Sequence, residues 1–400
     1  MRYLLLLLAT FAAGLAHAQL LSPVWVEVGE GGQAIARVVV NTPQDCPAIQ
    51  IDGRSQAMPL REPVPDGLRP ACQVTIPASA KSASVNGQTL VLPRPDPSRV
   101  IVLGDTGCRV KGKRVQDCND LATWPFQSVA TQAAAEHAQL IVHVGDYLYR
   151  ESPCPAGSEA LCGGTPVGDN WAAWDADFFT PAAKLLAAAP WAFSRGNHED
   201  CERSWRGWFY YLDPRPFSGT CARFSAPYLV KLGKFELVML DSSPVIEDEA
   251  DAEQIKEYSA QLASIHATNA WLVAHHPFWG FRTDAEGKPS PISAPLEAAW
   301  DKASPRGIRL VVAGHVHLFE LLIFDHGRPP QLVAGDGGTE MAIPIRASLD
   351  GSQVQGAKVV MSGSEHAYGY TVLHRDAGHW GLSLKSRSGD VLFTYSLPAQ

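Results

Sequence analysis

The spacing of hydrophobic positions changes near residue 18 and again near residue 98. Met1 to Ala18 opens with a single positive residue, Arg2, followed by the unbroken run Leu4 to Leu8, then Leu15 and the small-x-small ending Ala16-His17-Ala18. This is the pattern of a cleaved export leader over 1–18. Its apolar stretch is shorter than the roughly 20 residues that cross a bilayer, and no later segment is long and apolar enough to span one. From Gln19 to about Pro97, β-rich runs (Val24 to Val28, Ala34 to Val40, Cys72 to Ile76, Thr89 to Leu92) alternate with Pro, Gly and Asn-Gly turn signals. They predict a small all-β domain over 19–97. Its last segment, Pro93-Arg94-Pro95-Asp96-Pro97, reads as a stiff linker, because prolines remove amide donors and restrict their neighbours.

Past the linker, short continuous apolar runs alternate with helical stretches. Val100 to Leu103, Leu140 to Val144 and Trp191 to Ser194 suit strands covered on both faces. Thr123 to Ala138 and Ala182 to Ala189 read as helices. Asp251 to Ala267 is a third helix, with Asp251 as N-cap and Ile255, Tyr258, Leu262 and Ile265 on one face. Tyr228 to Leu232 with Phe235 to Leu240, and Trp380 to Lys385 with Val391 to Tyr395, read as hairpins. The mixture predicts a layered α/β fold with substantial antiparallel content over 98–400.

Composition excludes disorder: 46% of the 400 residues are hydrophobic and 18% charged. With 33 Lys and Arg against 41 Asp and Glu, the formal charge of −8 argues against nucleic acid as a stable partner, since phosphate backbones demand a concentrated positive surface. The eight cysteines all lie beyond the leader and fall into neighbours: Cys46 with Cys72, Cys108 with Cys118, Cys154 with Cys162, and Cys201 with Cys221. Export permits disulfides, so four local bridges are expected. A zinc site is the rival reading, but no C-x-x-C spacing occurs.

The chemistry gathers at the strand ends. Gly104-Asp-Thr-Gly107, Gly145-Asp-Tyr-Leu-Tyr149, Gly196-Asn-His-Glu199, Ala274-His-His-Pro277 and Gly314-His-Val-His317 place carboxylate, phenol, amide and imidazole groups directly after apolar runs. Strand ends are where sites converge in layered α/β folds. Hard oxygen donors mixed with imidazoles suit iron, manganese or zinc. Asp105, Asp146, Tyr149, Asn197, His275, His315 and His317 are too many ligands for one tetrahedral ion and enough for two, if Asp146 bridges. Glycine directly before Asp105, Asp146, Asn197 and His315 lets the backbone turn sharply and approach closely.

These segments resemble the metallophosphoesterases, and more narrowly their purple acid phosphatase branch, whose pattern is GDxG, GDxxY, GNH(D/E), VxxH and GHxH. The fourth motif departs from it, with Leu272 where valine is usual. Reading from Val273 would select His276; His275 is preferred because it stands two residues before Pro277. The resemblance covers roughly residues 99–340 and implies an α/β/β/α sandwich. Other members carry a histidine where Gly107 stands, and the resemblance implies that Tyr149 replaces that ligand as a phenolate on Fe(III). It further implies Fe(III) on Asp105, Asp146, Tyr149 and His317, and a divalent iron, zinc or manganese on Asp146, Asn197, His275 and His315. Two such cations lower the pKa of bound water and present hydroxide to phosphorus.

His198, one residue past a ligand, is the candidate to stabilise the transition state or protonate the leaving oxygen, with His276 as a second candidate. Arg203 and Arg206 are candidate contacts to the free oxygens of a phosphate. His137, His143, His266, His374 and His379 read as core or surface residues. The expectation is an exported phosphomonoesterase with small-molecule phosphoesters as substrates. A phosphodiesterase, and a secreted metal- or phosphate-binding protein without turnover, are the competing readings.

Overall fold

Two β-sheets lie face to face in the computed structural model, which describes residues 19–397; the expected leader lies outside the described residues. The first sheet has nine strands in the spatial order Val391–Ser396, His379–Ser386, Gly369–Asp376, Arg99–Leu103, Leu140–His143, Trp191–Phe193, Trp25–Val28, Ala34–Val39 and Ala71–Ile76. The second has eight: Tyr228–Leu232, Phe235–Met239, Ala270–Val273, Ile308–Ala313, Gln331–Ala334, Phe319–Phe324, Ala357–Glu365 and Gln353–Val354.

Why these apolar runs become sandwich strands is visible in their alternation, since successive side chains of a strand point to opposite faces. In the first sheet Val100, Val102, Leu140 and Val142 pack against Leu237, Trp271, Val273, Leu310 and Val312 of the second, forming the core between the sheets. Their neighbours Ile101, Leu103 and Ile141 face outward onto Phe126, Val129, Phe178 and Leu185 of the helical layer. On the far side Leu272 and Val311 pack on Tyr258, Leu262, Leu296 and Ala299 from the helices Ala252–Ala263 and Ala294–Ala303. The four layers are therefore helix, sheet, sheet, helix, as expected. Among the described residues no helix is long and apolar enough to cross a membrane.

Several local readings hold. Asp251 caps its helix, its side chain accepting from Gln254 N at 2.8 Å, and all four neighbouring cysteine pairs are bridged. The helix expected from Ala182 begins much earlier, at Trp171, and runs through a π-helical turn over Asp175–Phe179 to Leu186. Asn170 starts it by accepting from Ala173 N at 3.2 Å. The bulky aromatics Trp171, Trp174, Phe178 and Phe179, weak helix formers in isolation, are drawn into helix by burial in the core. The π turn carries Asp177 inward, where it accepts from Tyr149 N at 2.8 Å and Cys108 N at 3.2 Å.

The β-rich segment 19–97 has its own core of Val24, Val26, Val38, Ile49, Ile76 and Val85. Yet the first sheet runs across the composition change near residue 98: Trp25–Val28 pairs in parallel with Trp191–Phe193 through Glu27 and Trp191. Two buried arginines extend the junction. Arg37 pairs with Glu27 at 3.1 Å and donates to the Asp213 carbonyl at 3.1 Å. Arg61 donates to the carbonyls of Phe209 at 3.0 Å and Arg215 at 2.6 Å. Together they cap the C-terminal end of the helix Trp205–Tyr211, where unpaired carbonyls favour positive charge.

Removing one partner of a buried ion pair typically costs about 3–5 kcal/mol, because the other charge is left unpaired. Arg37→Met should therefore destabilise the protein by that order, read as a lower midpoint in denaturant. A midpoint equal to that of the unmodified protein would show that the clasp contributes no stability.

Candidate metal centre

The parallel strands of each sheet end level. Leu103, His143 and Phe193 are in register in the first sheet, and Met239, Val273 and Val312 in the second. All five motif segments consequently emerge on one edge of the sandwich, and hydrogen bonds join them across the two sheets. His315 N donates to Asp105 Oδ2 at 3.0 Å, and Gly337 N to the Gly104 carbonyl at 3.0 Å.

Three of the candidate ligands are held in left-handed backbone: Asp105 at φ 55°, Asp146 at φ 61° and His315 at φ 72°. Such conformations cost about 1–3 kcal/mol each and persist only where surrounding contacts enforce them. Glu199 supplies much of that enforcement. Its buried carboxylate accepts from the backbone N–H groups of Asp146, Tyr147, Leu148 and Gly196 at 3.1, 2.9, 3.2 and 3.1 Å. Gly196 permits the approach, since a Cβ there would lie 2.0 Å from Asp146 Oδ1. His143, stacked on Tyr147 at 4.0 Å, bridges two motif segments by contacting Thr106 Oγ1 at 3.1 Å and Gly145 N at 3.2 Å.

Two donor groups share Asp146, one with Asp105 and His317 and one with His275 and His315, with Tyr149 beside the first and Asn197 beside the second; a third group, Glu247 with His276 and His315, adjoins them. In the first, Tyr149 Oη lies 2.7 Å from Asp146 Oδ2, 3.1 Å from Asp105 Oδ1 and 3.0 Å from His317 Nε2. In the second, His275 Nε2 lies 3.2 Å from Asp146 Oδ2 and 3.2 Å from His315 Nδ1, with Asn197 beside them. His275, not His276, is the residue of its motif that joins this group with Asp146.

Hydrogen bonds on the outer side of each ring turn a lone pair inward. His275 Nδ1–H donates to the Val144 carbonyl at 2.8 Å and His317 Nδ1–H to the Glu340 carbonyl at 2.7 Å, while His315 Nε2–H donates to Glu247. The inward atoms are then acceptors facing acceptors. Asn197 Oδ1 meets His275 Nε2 at 2.9 Å, His315 Nδ1 at 3.1 Å and Asp146 Oδ2 at 3.2 Å, while its amide nitrogen faces the Arg203 Nη1 donor at 3.2 Å. A cation among these atoms satisfies every lone pair with the amide as it stands; without one, the amide should turn over. The donor set fits metal ions on that ground.

The electrostatics agree. Burial opposes charge on His275, yet the Asp146 carboxylate pulls its pKa up to about 9, so the site holds a proton where a cation is absent. Burial, together with the carboxylates of Asp146 and Asp105, pushes the Tyr149 phenol well above its ordinary value, and ionisation there requires a cation.

The remaining sequence candidates separate. His198 stacks on the Tyr149 ring at 3.8 Å, with Nδ1 2.8 Å from Glu151 Oε1 and Nε2 3.8 Å from Asp146 Oδ2. Arg203 reaches Glu151 at 3.5 Å as well as Asn197. Both line a cavity of about 450 Å³ with Glu151, Asp169 and Arg206. Arg206, however, is tied to Asp169 at 3.3 Å and contacts none of the candidate ligands. His276 is buried behind His315, ring centroids 4.2 Å apart, and burial with its imidazole neighbours holds its pKa well below the ordinary value. The nearby aromatics Trp174, Phe178 and Phe179 are fully buried core.

Sequence reasoning passed over Glu151, Glu199, Glu247 and Asp177. Glu199 stood inside a quoted motif; the others lie outside any motif, and only the folded chain brings them to the ligands.

The family model of the calcineurin-like phosphoesterases matches residues 98–319. Among solved structures, purple acid phosphatase PPD1 from yellow lupin (Lupinus luteus) seeds superposes with a TM-score of 0.61 at 15% identity, covering 93% of this chain and 73% of that one. The structure of PhoD superposes with a TM-score of 0.54 at 11% identity, covering 94% and 90%. At these identities both likenesses speak to the fold. No curated protein sequence matches.

If cations complete this donor set, they should stabilise the fold by mass action, by about 2.7 kcal/mol at a hundredfold excess over the dissociation constant. Chelator-stripped protein should gain thermal stability on addition of Zn²⁺ or Mn²⁺, and Asp146→Asn should abolish that gain. An equal gain in the variant would remove Asp146 from the site.

Proposed function

Because the chain belongs to the calcineurin-like phosphoesterase family, we propose that it is an exported phosphomonoesterase of the purple acid phosphatase type, working with two metal ions. Family membership by itself implies metal-dependent phosphoester chemistry. The observation that carries the finer reading is the sharing of Asp146 between two donor groups, one containing a phenol and the other an amide.

We assign Asp105, Asp146, Tyr149 and His317 to Fe(III), and Asp146, Asn197, His275 and His315 to a divalent iron, zinc or manganese ion. When bound, such ions supply an activated water and neutralise the phosphoryl oxygens of an in-line displacement. Tyr149 favours the trivalent ion, because a buried phenolate is stable only beside a strong positive charge. Catalysis belongs to 98–400, with 19–97 as the support that clasps the Trp205–Tyr211 helix.

The chain's own groups then have definite tasks. The Glu151 carboxylate lies 2.8 Å from His198 Nδ1, so Nε2 faces the ligands and can hold or deliver a proton to the leaving oxygen. Arg203 can donate to the free oxygens of the substrate, as a guanidinium does well for phosphate. A doubly charged monoester matches these two donors better than a singly charged diester. Arg206 we place at the cavity rim, and His276 we read as packing support for His315, not as a proton donor. The four disulfides fit export, for which residues 1–18 would be the signal.

Two outcomes test this. Purified protein should hydrolyse 4-nitrophenyl phosphate in preference to its bis-ester; turnover of the bis-ester alone would replace the monoesterase reading, and two bound metals with no turnover of either would favour a binding protein. The metal-loaded protein should absorb in the visible through a Tyr149–iron charge transfer. Tyr149→Phe should abolish that band while leaving the fold unchanged, and persistence of the band would exclude Tyr149 as the iron ligand.

A further inference from the structure

The three imidazoles of the donor set are not equivalent on their outer sides. His275 and His317 give their outer N–H to neutral backbone carbonyls, those of Val144 and Glu340. His315 gives its outer N–H to a carboxylate, Glu247. Donation to an anion makes an imidazole a stronger ligand and fixes both its tautomer and its orientation. We infer that Glu247 selectively sets the affinity of the second cation site, the one containing Asn197, His275 and His315. The inference rests on the two-cation reading of the centre.

Glu247 is braced to act on His315. Its second oxygen pairs with Arg282 Nη1 at 2.8 Å, its carbonyl accepts from Ala294 N at 3.2 Å, and the preceding Ile246 N donates to Gln254 Oε1 at 3.0 Å. Three elements therefore hold the segment: the helix Ala252–Ala263, the hairpin strand Phe281–Thr283 and the start of the helix Ala294–Ala303. Across the ring, buried His276 stacks on His315 with a tilt of 36°, so the imidazole is gripped on its face as well as at its outer nitrogen. The Arg282 side chain is 44% exposed and also pairs with the exposed Asp248, so neutralising Glu247 leaves Arg282 a partner and water and strands no buried charge. The effect of Glu247→Gln should accordingly fall on the metal site and not on the fold.

The test is calorimetric titration of chelator-stripped full-length protein with Zn²⁺. The unmodified chain should take up two equivalents. Glu247→Gln should weaken one of them by about 10–100-fold, the usual cost of losing such an outer partner, and leave the other unchanged. Two backgrounds identify which one. With the second site disabled by His275→Ala, Glu247→Gln should change nothing further; with the first disabled by His317→Ala, it should weaken the single remaining equivalent. Equal weakening of both equivalents, no weakening, or an effect that persists in His275→Ala would overturn the inference. So would a third equivalent lost in Glu247→Gln, which would make Glu247 itself a ligand with His276 and His315. Fewer than two equivalents in the unmodified chain would instead overturn the two-cation reading, and the inference with it. Unfolding midpoints of each variant separate these outcomes from misfolding.

Discussion

Two buried carboxylates without a protein cation of their own set the terms for the rest of this molecule. Asp105 and Asp146 are 0% and 1% exposed, and among the described residues their ion-pair partners are imidazoles only. Burying an ionised carboxylate is costly unless it is paired. Here the imidazoles that could pair with them are themselves held by outer acceptors in the tautomer that turns lone pairs inward. Charge at this edge is therefore balanced either by a proton taken up at His275 or by a cation among the inward-facing donors, and the convergence of oxygen and imidazole donors suits the cation.

Keeping acceptors pointed at one another requires force from elsewhere, and the fold supplies it in layers. The parallel strands end in register and deliver the motif segments to one edge. Glu199 then gathers four amide hydrogens, and Asp177, carried inward by a π-helical turn, holds two more. Three disulfides, Cys108–Cys118, Cys154–Cys162 and Cys201–Cys221, close the loops around this edge and constrain the segments with the least regular structure. The β-rich N-terminal segment contributes at longer range. Its arginines fix one end of the Trp205–Tyr211 helix, whose other end begins at Ser204, and Ser204 Oγ donates to the His198 carbonyl at 2.6 Å. A strand region with no chemistry of its own thus bears on where His198 stands.

The layered α/β class, the four disulfides and the gathering of the seven donors were legible in the sequence, because each leaves a local trace: an apolar run, a short cysteine spacing, a glycine beside a polar residue. What escaped was long-range. Nothing near Trp25 announces that its strand pairs with Trp191–Phe193, and strand pairing across that distance is set by tertiary packing. Glu247 lies 68 residues from His315 and Glu151 lies 47 from His198, and an isolated glutamate has no motif to betray it. The start of the Trp171 helix was hidden for a different reason, since its residues have only moderate helix propensity and become helical by filling the core. Arg206 shows the converse, a residue placed by its neighbourhood in sequence but claimed by Asp169 in space.

The pairing of Gly107 with Tyr149 shows how sterics can decide chemistry. A Cβ on residue 107 would lie 2.9 Å from Tyr149 Cδ2, 2.9 Å from Asp177 Oδ2 and 2.5 Å from the Tyr147 carbonyl. The Tyr147 carbonyl alone leaves no room for a side chain at 107 without a backbone shift, so a histidine does not fit there and the phenol of Tyr149 stands beside Asp105 and Asp146 instead. The Tyr149 ring is then clasped from two sides, by His198 at 3.8 Å and by the Arg109 guanidinium at 4.7 Å. A cation over the ring face favours electron density in the ring, and a carboxylate pair at its oxygen opposes it. A cation bound among Asp105, Asp146 and His317 would tip the balance towards the phenolate. The phenol thus supplies a hard oxygen donor 2.7 Å from Asp146, 3.1 Å from Asp105 and 3.0 Å from His317, where a bound cation would favour its ionisation.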